Sequence, residues 1–545
     1  MIKHALPSAI IALAASSCCH AQLRVANWNV TTYSSGRQAE FRTAFFGVAP
    51  NGEQFAPDIL IAQEMLNQTN FRTVLNGHPG GPTDYAAAIN GVTTENSLFY
   101  RTSKVAPIGL TLSLSAGNGT CDTCPPRSNQ RYLVRLAGYN APATAGTGPE
   151  LYLYSSHMKA GSSSVDQARR LTEATRLRTD TNALPAGAQF ILGGDFNTQS
   201  SSQAAYQTLI GGSVIGRFFD PIASPGSWNN NCTFKWVFTQ DQATGSSGGI
   251  DDRLDFLLIS DALKNGSGFD YIGLTTKNYN TWCAANNTWD DPDHSYRSWG
   301  NDGFICNADM RTVGNSMVGT AIAQALALSA LTTGHLPVYF DLKLPPRVTL
   351  PVIVNLGDVA PGSVTASSVV VTNNADVRLF AKQPLTNAAR AFDALNYSFT
   401  TVPPSVVIAG GNGPHALQVV NQPALPAPAV LATRTHDLTF TAPQSTGPVA
   451  VTLTLLNNSD RPSLTIQLLA NVVTVSCSIA DLVGGDGNPP ADGSVDGNDF
   501  TAFLNAFAAS DALGDIVGGD GNPPADGSVD GNDFTAFLNA FAVAC

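Results

Sequence analysis

Six short apolar runs, each carrying a carboxylate, an amide or a histidine at or near one end, constrain this chain more than any other feature. They are Val25–Asn29, Asp58–Glu64, Tyr154–Lys159, Ile191–Asn197, Asp252–Leu258 and Thr333–Val338. Apolar runs this short, bounded by polar residues, read as buried strands. One strand-end His or Asp more often caps or hydrogen-bonds than performs chemistry. Two histidines with several carboxylates and amides, each at the end of such a run and in this order, are more specific. Strands that bury their apolar sides against one another can bring all six ends to one rim.

The stretches between agree with alternating strands and helices. Leu23–Asn29, Ile59–Gln63, Leu98–Tyr100, Leu151–Ser155, Phe190–Gly193 and Leu254–Ile259 read as strands, and Val165–Thr179 as a polar, surface-lying helix rich in Arg. The Ala-rich segment 316–330 is too short to cross a bilayer and reads as a buried helix. Residues 22–345 are therefore expected to form one α/β unit. Pro345–Pro346 marks a boundary, after which helical periodicity vanishes. The runs Val348–Asn355, Val364–Asn373, Leu438–Thr441, Val449–Leu456 and Leu464–Leu469 predict an immunoglobulin-like β-sandwich over 346–475, acting as a spacer. Residues 481–508 then recur at 515–542 with one change, Leu482 becoming Ile516. Each unit is an acidic Gly-rich loop followed by an apolar helix, Phe500–Phe507 or Phe534–Phe541, which buries its face on its twin.

Composition enters through the N-terminus. Residues 1–21 have a positive start at Lys3, an apolar core and the small-residue site Cys19-His20-Ala21, so a secretory signal and an exported protein are expected. Export makes disulfides expected among the seven cysteines beyond it, with Cys121 and Cys124 as a local loop bridge. The net charge of -12, with only 13% charged residues, argues against a general basic surface for nucleic acid. It leaves open an enzyme that attacks phosphate esters locally.

On the six runs, residues 22–345 resemble the endonuclease/exonuclease/phosphatase superfamily. The resemblance implies a four-layered α/β sandwich, two packed β-sheets flanked by helices, and hydrolysis of phosphate esters with Mg2+ or Mn2+. It implies Glu64 as principal metal ligand, helped by Asn29. Asp195 would orient or deprotonate the attacking water, Asn197 would hold the scissile phosphate, and His157 would stabilise phosphoryl oxygens. His335 would contact the phosphate or handle a proton, held by Asp255 through its other ring nitrogen. Asn96 would lie near substrate, with Arg131 and Tyr132 flanking the site and Tyr296–Gly303 looping over it. Relatives carry Asp directly before the final His, where this chain has Gly334; Asp302, Asp291 or Asp293 are the candidates to replace it in space.

The C-terminal repeats resemble bacterial dockerin-type duplicated calcium repeats. That implies a small paired EF-hand-like domain over 476–545 and a docking partner. Asp486, Asn488, Asp492, Asp496 and Asp499 would bind one Ca2+, and Asp520, Asn522, Asp526, Asp530 and Asp533 another. Gly493 and Gly527 stand at the sixth position of such loops, and Pro489–Pro490 stretches the usual spacing. The whole predicts a secreted or cell-surface metal-dependent phosphodiesterase, foremost a nuclease on DNA or RNA. A sphingomyelinase-like phospholipase C, an inositol or sugar phosphatase, and an inactive docking protein are the alternatives. The arginines Arg169, Arg170, Arg176 and Arg178 would either track a nucleic-acid backbone or be solvated.

Overall fold

The central strands are buried on both faces, so each requires a packed layer on either side. The computed structural model describes residues 23–88, 95–114, 119–240, 248–266, 268–276, 289–291, 293–330, 334–374, 394–417, 432–473 and 478–543. The expected signal segment 1–21 lies outside them. The chain opens with β1 (Leu23–Tyr33), α1 (Gln38–Phe46), β2 (Ile59–Met65), α2 (Gln68–Asn76), β3 (Tyr85–Ala87) and β4 (Ser97–Arg101). It continues through β5 (Val105–Pro107), β6 (Leu112–Leu114), β7 (Asn129–Leu136), β8 (Glu150–His157), α3 (Ser164–Asn182), β9 (Phe190–Asp195), α4 (Ala204–Ile210), β10 (Phe218–Phe219) and β11 (Asp255–Ser260). β12 (Asp270–Tyr271), β13 (Arg297–Ser298), α5 (Gly319–Ser329) and β14 (Val338–Lys343) complete this part.

One sheet runs β12-β14-β1-β2-β4-β3, with β13 on β14, and the other runs β10-β11-β9-β8-β7-β5, with β6 on β7. β1 and β2 face β8, β9 and β11 across the centre. Outside the first sheet an aromatic cluster locks α1 and α2 down: Trp28 lies 5.0 Å from Phe41, and Phe71 lies 5.3 Å from Phe99. Outside the second, Tyr206 of α4 packs 5.9 Å from Phe256, and the Tyr154 hydroxyl donates to Asp180 of α3 at 2.6 Å. The result is helices, sheet, sheet, helices. The sheets approach closely at Gly193, where a Cβ would stand 2.8 Å from Ile61 Cδ1 and 3.1 Å from Asn27 Oδ1. A polar seam joins them there: Gln63 Nε2 donates to Asn27 Oδ1 at 2.8 Å and to Ser155 Oγ at 3.2 Å.

Beyond residue 347 the regular elements among the described residues up to 472 are strands: β15 (Val348–Thr349), β16 (Ile353–Val359), β17 (Val364–Asn373), β18 (Leu395–Thr401), β19 (Val406–Ile408), β20 (His415–Leu417), β21 (Ala432–Thr441), β22 (Gly447–Asn457) and β23 (Ser463–Val472). They form sheets of order β15-β17-β21-β19 and β16-β23-β22-β18-β20 around one core that includes Val371, Phe399, Phe440 and Ile466. The single strand expected over Val348–Asn355 is two strands in different sheets. Pro351 lies between them and cannot donate to a ladder.

Two helices follow, α6 (Gly497–Ala509) and α7 (Gly531–Val543), joined by stacked Phe503 and Phe537 at 4.0 Å. Their packing on each other agrees with the expectation. The dockerin-type calcium identity does not, and it is corrected here. An EF-hand turns several carboxylates onto one ion; here they are turned onto backbone amides. Asp486 accepts from Asn488 N at 3.0 Å, Asp492 from Ser494 N at 3.0 Å and Asp496 from Asn498 N at 2.6 Å. Asp499 accepts from Leu482 N at 2.7 Å, Val483 N at 2.9 Å and Asp496 N at 2.9 Å. Asp520, Asp526, Asp530 and Asp533 repeat the pattern in the second unit. The Asn488 and Asn522 amides donate to the carbonyls of Asp486 and Asp520 at 3.3 Å. Among the described residues no cluster of acidic or histidine side chains fit to hold an ion lies in these loops. The C-terminal region is thus β-rich with a terminal helix pair and no EF-hand site, and the expected docking partner loses its basis. No helix among the described residues is long and apolar enough to cross a membrane.

Candidate active site

Strand register brings the site together. In the second sheet β8 runs parallel to β9 and pairs His157 with Asp195, while β11 runs antiparallel and pairs Asp255 with Asp195. In the first sheet parallel pairing sets Asn29 beside Gln63, one residue before Glu64. His335 lies three residues before β14, and the Trp28 indole donates to its carbonyl at 2.8 Å.

Asp195 is the pivot. Its Oδ2 accepts from Asn29 Nδ2 at 3.1 Å, and its Oδ1 accepts from the Asn197 amide at 3.0 Å. Its carboxylate lies 3.5 Å from His157 Nε2 and 3.8 Å from His335 Nε2. Asn29 also donates to Glu64 Oε1 at 3.0 Å, and Glu64 Oε2 accepts from Thr32 N at 2.9 Å. Glu64 and Asn197 adopt positive φ, of 55° and 49°. Non-glycine residues rarely hold that conformation, and it concentrates at functional sites.

His335 Nδ1 bonds Asp255 Oδ2 at 2.7 Å. Burial opposes charge on this ring, but Asp255, Asp195 and Glu64 overcome it and push the imidazole up to about 10. Burial also raises the Asp255 carboxyl, against the pull of His335. The three carboxylates around the ring favour its charged form. With the imidazole in its neutral form, Asp195, Asp255 and His335 each offer a donor atom, and these atoms lie within 4.8 Å of one another, a buried group able to hold a metal ion.

Three expected contributors are placed differently. Arg131 pairs with Asp180 of α3 at 2.8 Å, on the outer helix layer, and Tyr132 is buried in the core. The stretch around Trp299 is packing rather than a loop over the site: Trp299 is fully buried and donates to Ala44 O, and Asn301 ties to Lys235 O at 2.7 Å. Arg170 and Arg178 are buried and hold backbone carbonyls, and Arg169 donates to Cys121 O at 3.1 Å, so these three form no open cationic track. Asn96 donates to Ser128 O at 2.9 Å and accepts from Ser155 at 3.0 Å, beside the seam. The Asn197 side chain donates to Met158 O at 3.1 Å. Neither Asp302, held by Arg311 and Ser316, nor Asp291 and Asp293 joins the acidic group in place of the residue missing at Gly334.

One participant was not read from sequence. Glu95 lies 3.6 Å from His157 Nδ1 and 3.1 Å from Arg127 Nε. The neighbouring His157 ring, then Arg127, pull its carboxyl down to about 2. Each histidine thus has a carboxylate at Nδ1 and Asp195 near Nε2. The Glu95-Asn96 pair preceding a strand was the available signal. Cys121–Cys124 is bridged as expected, and Cys232 pairs with Cys306; Cys283, Cys477 and Cys545 lie outside the described residues.

Residues 44–275 match the sequence model of the Endonuclease/Exonuclease/phosphatase family. The match stops well short of the C-terminal repeats. No curated protein matches the chain. Among solved structures, the human Nocturnin catalytic domain with bound sulfate is 13% identical, covering 60% of this chain and 96% of its own, with a TM-score of 0.34. Zebrafish (D. rerio) TDP2 complexed with a single-strand DNA product is 14% identical over 59% of this chain and 98% of its own, TM-score 0.32. A Bacteroides thetaiotaomicron mannosyl-6-phosphatase is 15% identical over 59% and 99%, TM-score 0.31. The family match and the Asp195–Asp255–His335 group together support metal-assisted, phosphoesterase-type hydrolysis in general.

Proposed function

We propose that this chain is a divalent-metal-dependent phosphodiesterase, foremost a nuclease that hydrolyses DNA or RNA by attack of water on phosphorus. The observation that carries the reading is the pair of imidazoles whose Nε2 atoms approach one carboxylate, Asp195, at 3.5 and 3.8 Å. Two such rings and one water-orienting carboxylate suit a centre that gains negative charge on equatorial oxygens.

The donor set fits a hard cation. Glu64, Asp195 and Asp255 crowd one rim, and among the described residues none forms an ion pair with Lys or Arg. Oxygen donors favour Mg2+ or Mn2+ over softer metals. Glu64 would hold the ion, with Asn29 and Asp195 alongside. When bound, such an ion supplies Lewis-acid neutralisation of a phosphoryl oxygen. The remaining work belongs to the chain. Asp195, fixed by Asn29 and by the Asn197 amide, accepts a hydrogen bond from the attacking water and orients it. His335 arrives protonated and presents its Nε2 hydrogen to the phosphate. Asp255 fixes which ring nitrogen faces outward. His157, backed by Glu95, stabilises phosphoryl oxygens from the other side.

The full chain should be assayed on plasmid DNA, single-stranded RNA, sphingomyelin and inositol phosphates with Mg2+ or Mn2+. Nuclease turnover that EDTA and Asp195→Ala both abolish is the expected result. Turnover of lipid or phosphomonoester alone would transfer the site to a phospholipase or phosphatase. No turnover of either nucleic acid under any divalent cation would sink the nuclease reading.

A further inference from the structure

α3 holds both loops that carry the site. Arg170, fully buried on this helix, donates from Nη1 to Lys159 O at 2.6 Å and to Gly161 O at 2.7 Å. Its Nη2 donates to Gln203 Oε1 at 3.2 Å, and Gln203 is the N-cap of α4, at the end of the loop that begins near Asn197. Glu173, also buried and three residues on along the same helix face, accepts from Lys159 N on Oε2 at 3.1 Å. One helix therefore grips both the N–H and the C=O of Lys159, two residues after His157. The adjoining Met158 donates its N–H to Asp195 O at 2.9 Å and accepts the Asn197 side chain on its carbonyl at 3.1 Å.

We propose that Arg170 and Glu173 are positioning residues: they fix the Met158–Lys159 backbone so that the His157 ring and the Asn197 amide stay aligned on Asp195. Only the kinetic part of the test rests on the phosphodiesterase reading. A purely packing role fits these side chains poorly. Arg170 Nε and Glu173 Oε1 are buried with no hydrogen-bond partner, a cost that apolar residues of similar volume would avoid. Burial pushes the Glu173 carboxyl up to about 8, against the Lys159 amide and Arg127, Arg170 and Arg176, which favours its neutral form. Glu173→Gln then keeps both the acceptor and the charge state, while Glu173→Leu keeps the volume and loses the acceptor.

The test is hydrogen exchange on the full chain, read on peptides covering 155–163, together with steady-state kinetics on whichever phosphodiester the wild type turns over. Glu173→Leu should speed exchange at 158–161 by about tenfold or more, the protection lost with one buried amide bond of ~1.4 kcal/mol, with β9 unchanged. It should lower kcat by about 100-fold with KM within about twofold, as expected for a misplacement near 1 Å. Glu173→Gln should restore both. Should Glu173→Leu fail to fold, Arg170→Lys, which keeps charge but loses the fork, takes its place in both measurements. Unchanged exchange at 158–161 in a folded variant, or loosening there with wild-type kcat, overturns the proposal. A wild type that hydrolyses nothing refutes the functional reading instead, and the exchange measurement then decides this one alone.

Discussion

Arg253→Met should destabilise the first 345 residues by about 3–5 kcal/mol, the usual cost of breaking a buried ion pair from one side. Arg253 and Asp220 are both buried, with side-chain exposures of 0% and 1%. The guanidinium grips both carboxylate oxygens, Nη1 to Oδ2 at 2.9 Å and Nη2 to Oδ1 at 3.0 Å, and reaches Ile222 O at 3.2 Å. It also stacks 4.3 Å over the Phe256 ring. Methionine fills similar space, so no large cavity opens, and the loss is electrostatic. Two charge-assisted bonds at ~1.5–3 kcal/mol each give ~3–6 kcal/mol, in agreement with the ion-pair figure. Asp220 would retain only the Tyr206 hydroxyl at 2.7 Å and the Ile222 amide at 3.0 Å. Urea unfolding followed by tryptophan fluorescence isolates this part of the chain, because all six tryptophans precede Pro345. The double variant Asp220→Leu/Arg253→Met should regain most of the loss, since it strands no charge. A single-variant loss below ~1 kcal/mol, or additivity of the two changes within ~0.5 kcal/mol, would refute the reasoning.

Three further perturbations test the site and the tail. His335 is raised from its ordinary 6.5 to about 10, so its contribution to stability is full below pH 6.5 and is lost as pH rises through 10. Asp255→Asn should reduce that alkaline loss and lower the ring's titration midpoint in NMR; an unmoved midpoint would show that Asp255 does not hold the proton there. Gly194→Ala should destabilise by about 1–3 kcal/mol or more, because its Cβ would meet a backbone oxygen, Ser156 O, that cannot swing aside; a melting temperature equal to wild type would contradict this. Asp499→Ala removes the acceptor of three amides and should cost the helix pair about 2 kcal/mol or more, seen as faster exchange over 482–509; wild-type exchange would rule the cap unimportant.

Much of the site was legible because it is written in strand ends. A period-2 backbone with both faces apolar fixes where a strand stops, and the residue at the stop is the one that reaches the rim. His157 and Asp195 end β8 and β9, Glu64 stands one residue before the end of β2, Asn29 where the β1–β2 register breaks, and His335 three residues before β14. Glu95 has no such signal: it stands in a polar stretch before β4, and only the fold brings it within 3.6 Å of His157. The arginines of α3 misled for the opposite reason. A polar helix of low amphipathicity reads as solvated, yet Arg170 and Arg178 point inward to cap carbonyls of loops distant in sequence. The C-terminal loops misled through chemistry shared by two structures. Asp in a Gly-rich turn suits a calcium loop, but it suits equally the cap and turn acceptors that these residues prove to be.

The two ends of β1 show how the fold separates structure from chemistry. At one end Arg24 bonds Asp341 through Nε at 2.9 Å and Nη2 at 3.1 Å, and reaches Glu53 at 3.1 Å. The Arg24 amide also donates to Asp58 at 3.0 Å. There the buried Asp341 and the half-buried Glu53 share a resident cation, which holds the strands in place and leaves little field for a ligand. At the other end Asn29 stands among Glu64, Asp195 and Asp255, where among the described residues the positive partners are imidazoles alone. Crowded carboxylates without a Lys or Arg partner are costly to hold ionised in a folded chain. A bound divalent cation would relieve that cost and would stand beside His157 and His335. On the proposed reading, the acidic density that reads as a liability for binding a polyanion would be the feature that recruits the charge needed to cut one.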